Sequence, residues 1–187
     1  MGLGQHVQLL NTDIMCSMLY PLYQQLVPRY ATHDIECYKL LDASYDPVDR
    51  SRDLVAYSPF KEFEYILGKP YGPETVIPTN HFGAQWIINE GFHSFRTKEA
   101  ALVSAFNNRA FRESILYKSI IPKHSFYYCA SDGFSGTKVY VSESIIIEKV
   151  VYLTRNEFES ARISAWTKML NCELKEIYDD IRTVKWN

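Results

Sequence analysis

The chain has 187 residues, of which 47% are hydrophobic and 22% charged, enough for one sizeable core and too few for two comfortable domains. Its 20 basic and 22 acidic residues give a net charge of −2, which argues against nucleic acid as a partner. The apolar runs are far shorter than a bilayer span and no secretory leader pattern is recognisable. We therefore expect an intracellular protein that does not use the membrane.

The residues with metal or redox chemistry are scattered. The cysteines are Cys16, Cys37, Cys129 and Cys172. Without a Cys-x-x-Cys pair they favour reduced thiols over disulfides or a zinc site. Three histidines could still meet in space, namely His81, His93 and His124. Since no two histidines have helical ligand spacing, and no phosphate loop or hydrolase elbow is present, the sequence predicts no metal site.

The first predicted element is a helical segment within residues 1–34. Thr12 or Asp13 can cap a helix, and Pro28 limits its end. Pro21 either kinks this helix or opens a second short one. The apolar positions at helical spacing are Met15, Met18, Leu19, Leu22, Leu26 and Val27.

Residues 35–153 are predicted to form a β-rich core. The predicted strands are 35–41, two short strands within 54–71, 86–88, 92–95, 114–121, 126–129 and a bent pair between 139 and 153. Polar loops are expected at 42–53, 68–78 and 131–136 because of their turn-forming residues. One internal helix should begin after Thr97 and end at Asn107-Asn108.

Residues 154–187 carry the strongest helix signal. Thr154 and Glu157 have the spacing of a capping box. The apolar stripe that follows consists of Ile163, Trp166, Leu170, Leu174, Ile177, Ile181 and Val184. Its spacing predicts an amphipathic helix that packs on the sheet or meets another subunit. The sequence thus predicts a single α+β domain, residues 1–187, with a mostly antiparallel central sheet, an N-terminal helix, one internal helix and a long C-terminal helix.

Five short segments within residues 35–150 form an ordered series. They are Tyr38-Lys39-Leu40-Leu41, Ser58-Pro59-Phe60, Tyr65 to Gly68-Lys69, Gly91-Phe92-His93-Ser94-Phe95 with Ala100, and Ile121-Pro122-Lys123. The series resembles a poorly characterised family of small proteins from bacteriophages and large DNA viruses. The resemblance implies a viral protein in the host cytoplasm or the virion, with viral or host proteins, or itself, as partners. A virion or assembly component is favoured over a host-defence inhibitor.

Composition fits that expectation. The chain has 14 tyrosines and 10 phenylalanines, and amphipathic aromatic side chains are common at protein contacts. A tyrosine-rich β core would give the same composition. The two interpretations differ in whether the aromatic side chains are exposed.

A second resemblance points to an enzyme. Tyr38-Lys39, Ser58, the strand and helix between Gly91 and Phe106, and Glu143 are similar to the pattern of ADP-ribosyltransferase-like domains. The resemblance implies NAD as cofactor, with Glu143 orienting the nicotinamide ribose. Lys39 stands where that pattern has arginine, and lysine cannot make the planar two-pronged phosphate contact.

The residues that this enzyme hypothesis singles out are Lys39, Ser58, His93 and Glu143. The competing interpretation is structural: Tyr38 and Phe92 are core residues, Lys39 faces solvent, Ser58 belongs to a turn and Glu143 is exposed at a strand start. We favour the structural interpretation, in which the protein needs no cofactor.

Overall fold

The computed structural model describes residues 17–19, 28–43, 55–59, 63–81, 85–88, 90–108, 111, 114–132, 137–152 and 154–183. Within these residues the chain forms one sheet of thirteen strands and two helices. The strands are β1 (Ser17–Leu19), β2 (Arg29–Tyr30), β3 (Ile35–Ala43), β4 (Val55–Tyr57), β5 (Glu64–Ile66), β6 (Pro70–Tyr71), β7 (Pro78–His81), β8 (Gln85–Ile88), β9 (Phe92–Phe95), β10 (Ser114–Ile121), β11 (Phe126–Asp132), β12 (Lys138–Ser142) and β13 (Ile145–Val150). The helices are α1 (Lys98–Asn107) and α2 (Arg155–Thr183).

The sheet is antiparallel at every described pairing. Its main path runs β6-β13-β10-β3-β9-β12-β11-β1-β8-β7. The longest ladder joins β3 to β10, from Ser114 opposite Asp42 to Ile121 opposite Ile35. Side chains alternate along these strands, so each strand contributes to both faces of the sheet.

The two faces of the sheet bury different clusters. On the face that we call the helix face, strand residues such as Leu40, Leu116 and Phe95 pack with Leu102 of α1 and Phe158 of α2. The opposite face, here called the hairpin face, is covered by the β4–β5 hairpin. Its buried cluster comprises Cys37, Leu41, Ala56, Tyr65, Phe92, Tyr117, Ile121, Ile145 and Ile147. The core therefore has two layers, one on each side of the central strands.

Both helices begin at the predicted caps. Thr97 is the N-cap of α1, and its hydroxyl oxygen accepts a hydrogen bond from the Ala100 N–H at 3.1 Å. Thr154 and Glu157 form the predicted capping box, in which the Glu157 N–H donates to Thr154 Oγ1 at 3.2 Å and the Thr154 N–H donates to Glu157 Oε2 at 3.0 Å. With 29 residues, α2 is about 44 Å long.

The α+β class, the antiparallel sheet, the internal helix and the long C-terminal helix are confirmed. The predicted N-terminal helix is not supported, because Ser17–Leu19 form β1 between β8 and β11. Pairing on both edges of β1 satisfies its backbone groups, and that tertiary context overrides the helical spacing of Met18 and Leu19. The predicted caps Thr12 and Asp13 and the proline Pro21 lie outside the described residues.

Smaller differences concern element ends. Strand β11 continues to Asp132, beyond the predicted end at Cys129, because Ser131 and Asp132 pair with Met18 and Ser17 of β1. The predicted loop at 68–78 contains β6, whose Tyr71 and Pro70 pair with Ile145 and Ile146. Within the described residues, neither helix has the length and apolarity needed to cross a membrane.

Candidate interaction surface

Lys39, the first residue of the enzyme hypothesis, is buried, so the expectation that it faces solvent is wrong. The residue is 9% exposed and lies on the hairpin face beside Cys37 and Leu41. Its Nζ donates a hydrogen bond to the carbonyl oxygen of His93 at 2.6 Å and lies 5.5 Å from the ring centroid of Tyr65. The ammonium group is thus held between β9 and an aromatic face, an arrangement that stabilises a buried cation.

The surroundings of Lys39 are a packed interior. Burial raises the pKa of the Cys37 thiol to about 12, since the thiolate would be desolvated. Burial likewise raises the pKa of the Tyr65 phenol. Both groups therefore remain neutral around pH 7, which suits a structural cluster.

Ser58 and Glu143 are held at other places by their own partners. The Ser58 N–H donates to the Phe63 carbonyl at 2.8 Å, within the connection from β4 to β5, as expected for a turn residue. Glu143 lies between β12 and β13, where Oε1 accepts a hydrogen bond from the Phe126 N–H at 3.0 Å. Its carbonyl also accepts from the Glu74 N–H at 2.7 Å. Glu143 thus connects β11 to the segment after β6.

Of the four residues, Lys39 and His93 are brought together by a hydrogen bond, but through the His93 main chain and not its imidazole. Ser58 and Glu143 are each held by the hydrogen bonds described above. A cleft shared with Lys39 and His93 is not needed to explain their positions. Within the described part of the chain, no group of three or more His, Cys, Asp or Glu side chains is placed to hold a metal ion.

A different candidate surface lies on α2, whose first half packs against the rest of the domain. Phe158 is fully buried in the helix-face cluster, and Ala161 and Ala165 pack against that cluster. Arg162 Nη1 donates to the Ala105 carbonyl at 3.2 Å, which ties α2 to the end of α1. These residues, Phe158, Ala161, Arg162 and Ala165, define the inner face of α2.

The apolar side chains of α2 lie on another side of the helix. Ile163 is 54% exposed, Leu170 38% and Leu174 51%. Together with the exposed Thr167 they form what we call the outer stripe. At 100° of rotation per residue, the outer stripe lies about 160° around the helix axis from the inner face. The prediction that this stripe packs on the sheet is therefore wrong for these residues, and a contact with another subunit stays a prediction.

Thr167 does not interrupt the apolar character of the outer stripe. Its hydroxyl donates to the Ile163 carbonyl at 2.9 Å, one turn earlier in the helix. The polar group is therefore satisfied within α2, as is common for threonine in helices. A partner covering the stripe would not have to supply a hydrogen bond to this side chain.

An aromatic pair borders the outer stripe. Phe106, at the end of α1, stacks on Trp166 of α2 with ring centroids 4.9 Å apart and an interplanar angle of 14°. The Arg162 guanidinium carbon lies 5.7 Å from the Phe106 ring centroid. Phe106 is 41% exposed, so apolar surface continues from the outer stripe to the end of α1.

The sequence contained a signal for the inner face that periodicity alone did not reveal. The small residues Ala161 and Ala165 are four positions apart and allow close approach of α2 to the domain. The stripe of large aliphatic residues predicts either the sheet or another subunit as its contact, and its spacing does not distinguish the two. Comparison with known proteins adds no relative, since no family model, curated protein or solved structure matches the chain.

Proposed function

We propose that this chain works through protein contacts as an assembly component, with the outer stripe of α2 as its contact surface. The observation that carries the proposal is that α2 already packs on the domain through Phe158 while Ile163 and Leu174 remain more than half exposed on another side. Completely burying a leucine or isoleucine side chain is worth about 1.5–3 kcal/mol, so covering this stripe would favour association.

The surface is of the kind that marks an interaction site. Single exposed apolar residues are normal on any protein, whereas contiguous patches indicate contacts. Here Ile163, Leu170 and Leu174 recur along one side of one helix, and Phe106 with Trp166 borders them. A viral or phage origin, with a place in the virion or the host cytoplasm, is proposed from the resemblance of the five segments in residues 35–150.

A binding experiment with a matched pair of variants tests the proposal. Leu170→Asp places a charge in the outer stripe, and Cys172→Asp places the same charge at an exposed position of α2 outside the stripe. Light scattering of the purified proteins and co-purification from cells expressing them should show that Leu170→Asp loses self-association or a specific partner. Cys172→Asp should behave like the unmodified protein.

If the unmodified protein is strictly monomeric and recovers no partner, the outer stripe is not a contact surface. The same conclusion follows if Leu170→Asp and Cys172→Asp weaken association equally, since the effect would then come from charge and not from position. Either result would remove the support for an assembly component.

A further inference from the structure

The outer stripe continues as a strict seven-residue repeat. Its positions in the sequence are Ile163, Thr167, Leu170, Leu174, Ile177, Ile181 and Val184, at intervals that alternate between four and three residues. A helix that packs on a broad core uses a wider apolar face, whereas a narrow stripe with a period of 3.5 residues suits a second helix. The repeat therefore identifies an α-helix as the occupant of this surface.

On the proposed function that the outer stripe is a contact surface, we propose that its occupant is the α2 helix of a second copy of this chain, in a parallel coiled coil. In this repeat Ile163, Leu170 and Ile177 are equivalent positions, and Thr167, Leu174 and Ile181 are the alternate set. A parallel pair in register places each of these residues beside its own copy. The stripe is thus complementary to itself.

Charges beside the stripe determine the orientation. Each residue that directly precedes Thr167, Leu174 or Ile181 lies at the edge of the stripe. In a parallel pair it faces the residue of the partner helix that is five positions later in the sequence. This places Glu173 near Tyr178, without a like-charge pair. In an antiparallel pair, Glu173 of each copy would lie near Asp180 of the other, with both acidic pairs on the same side of the line of contact between the helices, here called the seam. Repulsion between these acids disfavours the antiparallel arrangement.

Pairing through the outer stripe leaves each domain intact. The domain contacts of α2 include those of Phe158, Ala161 and Ala165 on the inner face. Since that face lies about 160° away from the stripe, the two domains can sit on the outer flanks of the helix pair. The inner-face contacts need not change on association.

The size of the seam predicts a reversible dimer. Within the described helix, from Ile163 to Ile181, it covers about two and a half heptads, or about 27 Å. That is a small surface beside the roughly 800 Å² per partner of a standard interface, and Thr167 contributes less apolar area than leucine or isoleucine would. Dilution should therefore shift the protein measurably from dimer to monomer.

Site-specific cross-linking tests this arrangement. In a background with serine at Cys16, Cys129 and Cys172, Leu174→Cys puts one thiol in the seam and Lys175→Cys puts one beside it. A disulfide requires Cα atoms within about 7 Å, which an in-register parallel pair provides at position 174. Oxidised glutathione should convert most of the Leu174→Cys protein to a covalent dimer on a non-reducing gel and leave the Lys175→Cys protein mostly monomeric.

Sedimentation of the unmodified protein and of Leu174→Asp, together with co-purification, separates failure of this inference from failure of the proposed function. A dimer by sedimentation without a disulfide at position 174 would overturn the parallel arrangement. A monomer whose other partner is lost in Leu174→Asp would overturn self-association and keep the proposed function. If Leu174→Asp changes neither the mass nor the recovered partners, both are overturned.

Discussion

Phe106 and Trp166 stack almost face to face across the junction of the two helices, with ring centroids 4.9 Å apart. The pair lies where the inner face of α2 ends and its exposed outer stripe begins. It therefore joins α1 to the part of α2 that the domain itself holds. Beyond this junction, α2 continues for about four more turns, from residue 170 to Thr183.

A double-mutant cycle on this pair should show a direct interaction. We expect Phe106→Leu and Trp166→Leu to couple by about 0.5–1.5 kcal/mol in the free energy of unfolding, the usual value for an aromatic pair. Urea unfolding at low protein concentration measures it. Phe126→Leu combined with Trp166→Leu is the control, because Phe126 contacts Tyr30 instead, and it should be additive. A coupling near zero in the first cycle would contradict the stacked geometry.

The capping box gives a second prediction. Thr154→Ala should destabilise the protein by about 1 kcal/mol, since the Glu157 N–H loses its acceptor. Asn156→Ala, at an exposed position in the same turn, is the control and should change the free energy of unfolding by less than about 0.5 kcal/mol. Equal effects of the two substitutions in urea unfolding would show that the box does not stabilise α2.

These caps show which parts of the fold local sequence could predict. Thr97, Thr154 and Glu157 act on backbone groups within three residues, so their spacing sufficed to find both helix starts. Strand β10 was predicted with its observed ends for a similar reason, since its apolar residues are bounded by polar and turn-forming segments. Such features depend on neighbours in the chain.

Features that depend on distant residues could not be predicted. Ser17–Leu19 form a strand because β8 and β11 lie on either side, and those strands come 66 or more residues later. Lys39 is buried because β9 supplies a carbonyl and β5 supplies an aromatic ring. The sequence leaves open whether the aliphatic stripe of α2 packs on the sheet or meets another subunit, and the burial of Phe158 on another side of the helix decides against the sheet.

The buried thiol of Cys37 gives a third prediction. Because burial raises its pKa to about 12, Cys37 should not react with a thiol reagent in the native protein. The number of thiols that react per chain should therefore be the same for the unmodified protein and for Cys37→Ser in the native state. In denaturant the two numbers should differ by one. A difference of one thiol in the native state would contradict the burial.

The same shift predicts a pH dependence with a definite sign. An unfolded cysteine loses its proton near pH 8.5, whereas folded Cys37 keeps it until about pH 12. The unfolded state thus binds fewer protons over this range, and stability falls as pH rises through it. Cys37→Ser, which has no thiol to ionise there, should lose less stability between pH 8 and pH 10. Identical pH profiles would contradict this assignment.

Glu143 separates the structural interpretation from the enzyme hypothesis. Glu143→Ala should cost about 1 kcal/mol because the Phe126 N–H loses its acceptor, whereas Glu143→Gln keeps an acceptor oxygen and should be nearly neutral. We expect no transferase activity and no effect of NAD on the melting temperature. A dinucleotide site would instead give about 2.7 kcal/mol of stabilisation at a hundredfold excess over its dissociation constant. A shift of that kind, lost in Glu143→Gln or on changing Lys39, would favour the enzyme.

One side of α2 holds the fold, and we propose that another side is available to a partner. The free energy of unfolding of Phe158→Ala and Leu170→Asp, measured below the concentration at which the protein associates, tests this claim most directly. Phe158 is fully buried, so Phe158→Ala should cost about 3–5 kcal/mol. Leu170→Asp should cost less than about 1 kcal/mol, because the position is open to solvent. A loss of several kcal/mol in Leu170→Asp would place the outer stripe in the core and contradict the proposed division of α2 into a packed side and an open side.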